Sequence, residues 1–230
     1  MKRRQVLSAA ALFAGRALPA APTPTTGEEV LKLVRWSQAL QNLKQLKGQL
    51  RKDGSRYPLE LSMTQGVIRF VFRNPNEILN LELGDRGAQL TRITAGARTE
   101  VSKANASALI RNTDLSFEDL SMRFLYWPGA QIVSKDSIMF QKCWQVRVTS
   151  PDRNDPYQTV DIWVGKSSGA MMRMDAFNAQ GRKVKQFLVR KVQDSPKGEG
   201  CILKQMRVES FNPEDGKAMG QTYIEIDKPE

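Results

Sequence analysis

The chain contains no histidine in 230 residues. That rules out Ser-His-Asp and Cys-His nucleophilic sites and zinc sites built on imidazole. It has two cysteines, Cys143 and Cys201, too few for a four-thiolate metal site. No G-x-x-x-x-G-K-[ST] or G-x-G-x-x-G stretch occurs, so the sequence carries neither of the common phosphate cradles. No apolar run approaches the roughly 20 residues that a membrane-spanning helix needs. The sequence thus offers no cofactor, no metal and no catalytic residue to assign, and binding becomes the question.

What is present is an ordinary globular composition, 40% hydrophobic and 26% charged, with a formal charge of +11. It is enough for one sizeable core. Met1-Lys2-Arg3-Arg4 is a basic start, Val6 to Ala14 a short apolar run, and Ala17-Leu18-Pro19-Ala20-Ala21 a small-residue stretch. Together they read as a secretory signal over residues 1–20, cleaved after Ala20 or Ala21. Arg3-Arg4-Gln5-Val6-Leu7 loosely fits a twin-arginine signal, with plain Sec export as the other reading. Cleavage removes Lys2, Arg3, Arg4 and Arg16 and no acid, which lowers the charge from +11 to +7. A basic exported protein meets anionic membrane surfaces or acidic polymers more readily than nucleic acid. In an oxidising compartment Cys143 and Cys201 permit one disulfide; two separate buried thiols are the alternative.

Residues 21–27 form a Pro/Thr linker, and residues 28–230 read as a single domain. Glu28 to Leu50 has helical spacing, with Leu33, Trp36, Leu40, Leu43 and Leu50 near one face. Short strands with Gly or Asn turns follow from Tyr57 to Ile93. A strand-free insertion spans Val101 to Leu125, with a short helix expected over Ser102 to Ile110 and a capping box at Ser116 and Asp119. Strands resume at Gln131. The clearest pattern is Gln158 to Val192, where Val160, Ile162, Val164, then Met172, Met174, Ala176, then Lys185, Phe187, Val189 each alternate with a second set. The count is ten or eleven strands and three helical segments, the two strand runs being halves of one sheet split by the insertion.

Asp114, Glu118 and Asp119 cluster, but helix capping explains them better than a glycosidase carboxylate pair. Lys183-Val184-Lys185 with Arg190-Lys191 reads as a solvated basic edge. The remaining feature is apolar bulk on antiparallel sheet, either a packed core or an acyl-chain cavity. Ile68, Phe70, Phe72, Leu79, Leu81, Phe124, Trp127, Trp163, Met172, Met174 and Phe187 are the candidate lining, methionine suiting an adaptable wall.

Thr113-Asp114-Leu115-Ser116-Phe117-Glu118-Asp119-Leu120 and Asp175 to Val184 (DAFNAQGRKV) resemble stretches of the outer-membrane lipoprotein-sorting (LolA-like) family of the bacterial periplasm. The resemblance covers residues 28 to 228. It implies a mainly β (α+β) fold, a strongly curved antiparallel sheet forming an incomplete barrel, with an N-terminal helix and short lid helices. It further implies an apolar cavity for the acyl chains of lipoproteins or lipids, and transient contact with inner- and outer-membrane machinery. Gly66 to Pro75 resembles the stretch that carries a lid-holding arginine, which points to Arg73. Asp114, Leu115, Phe117 and Leu120 are then lid candidates. The expected protein is a monomeric, non-enzymatic periplasmic carrier that binds no nucleic acid. The competing expectation is a non-catalytic envelope interaction module on the same fold. A continuous cavity of several hundred Å³ favours the carrier and a filled interior the module.

Overall fold

The computed structural model describes residues 23–39, 43–64, 66–195 and 201–229. The signal expected over residues 1–20 lies outside them, as do Leu40 and the side chains of Trp36 and Leu43. Among the described residues, thirteen strands form one antiparallel sheet. They are β1 (Leu43–Lys52), β2 (Ser55–Thr64), β3 (Val67–Phe72), β4 (Glu77–Leu83), β5 (Ala88–Thr94), β6 (Ala97–Glu100), β7 (Gln131–Ile138), β8 (Gln141–Thr149), β9 (Thr159–Gly165), β10 (Met171–Phe177), β11 (Lys183–Asp194), β12 (Cys201–Phe211) and β13 (Ala218–Ile226). The order across the sheet is β6-β5-β4-β3-β2-β1-β13-β12-β11-β10-β9-β8-β7. Each strand run is a meander, and pairing of Gly48 with Ile226 and Leu50 with Ile224 joins them at the centre. The sheet is open, with β6 and β7 as its edges. Residues 101–130 run from one edge to the other, so the two strand runs are halves of one sheet, as the sequence suggests.

Side-chain parity sets the faces. Val146, Ile162, Met174, Phe187, Val208 and Thr222 pair in succession across β8 to β13, and all are buried. The neighbouring row on the opposite face is Arg147, Asp161, Asp175, Gln186, Glu209 and Gln221. One row is apolar up to Thr222 and the next is polar throughout, the signature of a sheet with one covered face.

Two sequence expectations need correction, and one pair of open readings is decided. The first helix, α1 (Gly27–Ala39), stops well before Leu50, and β1 takes the rest. A leucine spacing of four fits both helical and strand periods, so Leu46 and Leu50 do not discriminate between them. The three-residue step from Leu43 to Leu46 is absorbed by a register irregularity. The helix expected over Ser102 to Ile110 is a single 3-10 turn, Lys103–Asn105. The two cysteines are free and buried. Cys143 lies on β8 and Cys201 on β12, with β9, β10 and β11 between them, so the disulfide is not formed.

α1 starts on a reciprocal cap. The Glu29 N–H donates to Thr26 Oγ1 (3.2 Å), and Glu29 Oε2 accepts from the Thr25 and Thr26 N–H groups at 2.7 and 3.2 Å. Those backbone bonds hold the Glu29 carboxyl below its ordinary range. Val30, Leu31 and Val34 bury the inner face of α1. The helix packs on β8 and on a 3-10 turn at Arg123–Tyr126, where Arg35 donates to the Leu125 carbonyl and lies over the Tyr126 ring. At its start Gly27 leaves no room for a side chain. An added Cβ would meet the Ala130 carbonyl at 2.4 Å.

Candidate functional site

The segment between the sheet edges closes over the inner face. Arg111 and Asn112, both at φ 54°, turn the chain inward. Every residue from Thr113 to Ser121 is buried. Helix α2 (Phe117–Ser121) begins on a true capping box, in which Ser116 Oγ accepts from the Asp119 N–H and Asp119 Oδ2 accepts from the Ser116 N–H. Met122 at φ 49° ends the helix. Left-handed residues therefore bound the segment on both sides. Such conformations persist only where surrounding contacts hold them.

Polar contacts tie this covering segment, the lid expected from the sequence, to one end of the sheet. The Asp114 N–H donates to Thr222 Oγ1, which in turn donates to Asp114 Oδ2, both at 2.8 Å. Lys52 Nζ lies 3.2 Å from the same carboxylate. Lys185 Nζ donates to the Asp114 carbonyl (2.6 Å) and to Ser210 Oγ (3.1 Å), and sits 3.5 Å from Asp119 Oδ2. Tyr157 OH donates to Asp119 Oδ1 at 2.7 Å. Burial, reinforced by that carboxylate, pushes the Tyr157 phenol far above its usual range, so it stays a donor. Room for Asp114 exists because position 220 is glycine. An added Cβ there would stand 2.2 Å from Asp114 Oδ1. A second tie is Arg111, which donates to the Asn74 and Pro75 carbonyls (3.1 and 2.6 Å) and faces Glu77 at 3.3 Å. Glu77 also pairs with Arg92 at 2.6 Å, and the Arg92 guanidinium lies over Phe117.

The other end of the inner face is apolar. A cavity of about 90 Å³ lies between the sheet and the lid. Its walls are Leu46, Leu59, Leu61, Met63, Ile68 and Phe70 on one side and Met171, Met174, Phe187, Ile202, Leu203, Met206, Ile224 and Ile226 on the other. Leu120, Met122 and Phe124 form the roof, and Asp119 is the single charged lining residue. The volume equals about three water molecules. It falls short of the several hundred Å³ expected of an acyl-chain site, so the interior here is nearly filled. Five of the lining side chains are methionine, Met63, Met122, Met171, Met174 and Met206, and unbranched thioether chains repack at low cost.

Of the residues expected to line the cavity, Ile68, Phe70, Phe124, Met174 and Phe187 do so. Phe72, Leu79, Leu81, Trp127 and Met172 are buried in the surrounding core and do not border it. Trp163 belongs to the other face. It pairs with Gln145 and Arg173, donates from Nε1 to Asp136 (3.2 Å) and lies 4.4 Å under the Arg173 guanidinium. Its parity with Asp161 already implied this. Asp114, Leu115, Phe117 and Leu120 are all buried in the segment that covers the inner face. Arg73 does not reach it. Its exposed guanidinium pairs with Glu60 at 2.8 Å, and the bond holds the Glu60 carboxyl low. Arg111 makes the strand-to-lid contact in that corner.

The residues missed are the latch partners Lys52, Tyr157, Lys185, Gly220 and Thr222. Lys185 was within reach, since it alternates in phase with Phe187 and Val189. It is a buried inward lysine on a central strand, not part of a solvated edge, because β11 lies between β10 and β12. Tyr157 and Gly220 lie distant in sequence from Asp114 and Asp119, and no local spacing signals their meeting.

A family model described as "Uncharacterized protein" matches residues 96–230. No curated protein matches the chain. Among solved structures it is similar to a DUF1329 family protein from Desulfovibrio piger, with a TM-score of 0.64 and 16% identity over 88% of this chain and 90% of that one. A candidate outer membrane lipoprotein-sorting protein domain from Vibrio parahaemolyticus gives a TM-score of 0.66 at 11% identity, covering 88% and 92%. A LolA superfamily protein from Nitrosomonas europaea gives 0.61 at 16%, covering 89% and 93%. At these identities the likeness concerns the fold, an open, mostly β, LolA-like sheet.

Proposed function

The chain belongs to the family of that model and has a LolA-like fold, and on that premise we propose that it is a periplasmic carrier of acyl chains. The cargo class is the lipid moiety of lipoproteins or a free lipid, moved towards the outer membrane through transient contacts with membrane machinery at either side. The observation that carries this reading is the polarity of the covered face, with a latch at one end and a cavity at the other that share only Asp119. The lid is held by polar contacts at one end of the inner face, while its roof residues Leu120, Met122 and Phe124 cover an apolar trough at the other. Breaking the latch costs hydrogen bonds and ion pairs that water can replace. It opens a surface that only an apolar ligand satisfies. Burying a chain of about sixteen carbons returns on the order of 12 kcal/mol.

The fold similarity to a lipoprotein-sorting domain supports the same reading. The basic leader over residues 1–20 supports export by the Sec or twin-arginine route, and residues 28–230 then act as one carrier unit, working as a monomer. No step calls for a catalytic group. The lid carboxylates are engaged in capping and ion pairs. A second reading, an envelope interaction module, is favoured by the small closed volume of about 90 Å³.

Native mass spectrometry of protein purified from the periplasm without detergent, followed by lipid extraction, separates the two. Co-purifying phospholipid or lipoprotein is the expected result. A bare mass together with no uptake of a fluorescent fatty acid would move the assignment to the module.

A further inference from the structure

The hairpin joining β7 and β8 turns in two residues. Ile138 pairs with Gln141, which leaves Met139 and Phe140 between them. Both are left-handed, at φ 49° and 64°. A two-residue turn of that kind favours Asn-Gly, because most side chains resist positive φ. Methionine and phenylalanine suit this backbone poorly, and they suit water no better. Phe140 is fully exposed, at 105% of the reference area, and Met139 is 41% exposed. Two separate unfavourable choices therefore fall on the same two residues. Two lysines lie at the same end of the sheet, the Lys166 ammonium 5.4 Å from the Trp144 ring centroid. Lys142 sits opposite Ser137 in the next pair, and Lys166 in the adjoining turn donates its N–H to the Lys142 carbonyl at 2.9 Å. The nearby acid, Asp136, is occupied by the Trp163 indole.

We propose that the Met139-Phe140 tip inserts into an anionic lipid bilayer, with Lys142 and Lys166 at headgroup level. An apolar point with lysines behind it is the arrangement that partitions into the boundary between headgroups and acyl chains. Trp144, Val164 and Met171 form one row across β8, β9 and β10, and Met171 lines the cavity. Phe140 lies four residues beyond Trp144 on the same hairpin, roughly 13 Å further out. The tip therefore projects from the end of the sheet that holds the cavity, and insertion brings that end to the membrane. The competing occupant is a second protein copy added along the exposed β7 edge. The flanking lysines and the positive charge of the whole chain favour anionic lipid over a like-charged copy. The inference stands whether or not the cavity carries cargo.

The test is flotation of the exported protein with vesicles of phosphatidylethanolamine and phosphatidylglycerol, and with vesicles of phosphatidylcholine alone. The wild type is expected to float with the anionic vesicles. M139N/F140G, which gives the turn its preferred residues, is expected to lose roughly tenfold in partition while its Tm rises. F140W is expected to show a blue-shifted emission on anionic vesicles. Unchanged partition of M139N/F140G overturns the proposal, as does equal partition to phosphatidylcholine. A wild-type dimer that M139N/F140G abolishes would assign the tip to a second copy. Fatty-acid uptake measured on the same samples keeps this result separate from the carrier reading, since loss of vesicle binding with uptake intact touches only the tip.

Discussion

At one end of the inner face Asp114, Asp119, Lys52, Lys185, Tyr157 and Thr222 meet in a buried polar cluster. At the other end Met63, Ile68, Met171, Met174, Phe187, Met206 and Ile226 surround a cavity with a single charged neighbour. The same strands supply both ends, and the same lid covers both. The polar cluster is directional. Each group has a fixed partner, so it specifies one lid position and loses much of its stabilisation when that position is left. The apolar end is non-directional and rich in methionine, so it tolerates many packings. Fixed geometry at one end with adaptable packing at the other is what the proposed carrier needs, a lid released at the latch over a trough that takes variable apolar shapes.

The largest expected effect comes from removing the shared cation. Lys185→Ala leaves the Asp119 carboxylate and the Asp114 carbonyl buried without that donor, and should cost about 3–5 kcal/mol in denaturant unfolding. Hydrogen exchange over residues 113–121 should speed up more than exchange in the central strands. Loss spread evenly over the sheet would mean that the latch is merely core.

Phe187→Ala tests the opposite end. It should cost about 3 kcal/mol through the enlarged cavity, with exchange at the lid changed far less than by Lys185→Ala. A lid response as large as that of Lys185→Ala would erase the distinction between the ends.

A smaller effect is expected from Glu118 beside the latch. Burial raises its carboxyl above the ordinary 4.5, although Arg123 pulls it back down. An acid with a raised folded value contributes stability that is present below its unfolded value and lost as pH rises through the folded one. Lid protection should therefore fall as pH climbs above about 4.5, and Glu118→Gln should flatten that slope. An identical slope in the variant would assign the dependence to other groups.

The smallest effect is at Arg73. Its exposed pair with Glu60 should be worth at most about 1 kcal/mol, so Arg73→Ala should leave lid exchange and cargo uptake unchanged. A clear change in either would return Arg73 to the lid mechanism.

Much of this fold can be read from alternation. The row Val160, Ile162, Val164 and its partners in Met174 and Phe187 follow from period two, and the Ser116–Asp119 cap follows from local spacing. β1 was hidden because leucines four apart satisfy two periods. Six of the eleven cavity candidates do not border the cavity, for a different reason. Bulk and hydrophobicity tell that Leu79 or Phe72 is buried, but the position of the lid decides which buried residues border a gap. Trp163 shows that parity outweighs residue type, since its neighbour Asp161 already marked the outward face. The latch depends on contacts between residues as far apart as Lys52, Asp114 and Thr222, which only the closed sheet centre at β1 and β13 brings together.

The most direct test is to lock and release the lid in one protein. A Cβ at Gly220 would lie 2.9 Å from Asp114 Cγ, which places Asp114→Cys/Gly220→Cys within the approach that a disulfide needs. The native thiols are buried. Titration with a fluorescent fatty acid should show uptake by the reduced double variant, whose latch is gone, and little or none by the oxidised form. Equal uptake in both states, or none in either, would contradict a cavity opened by release of this lid.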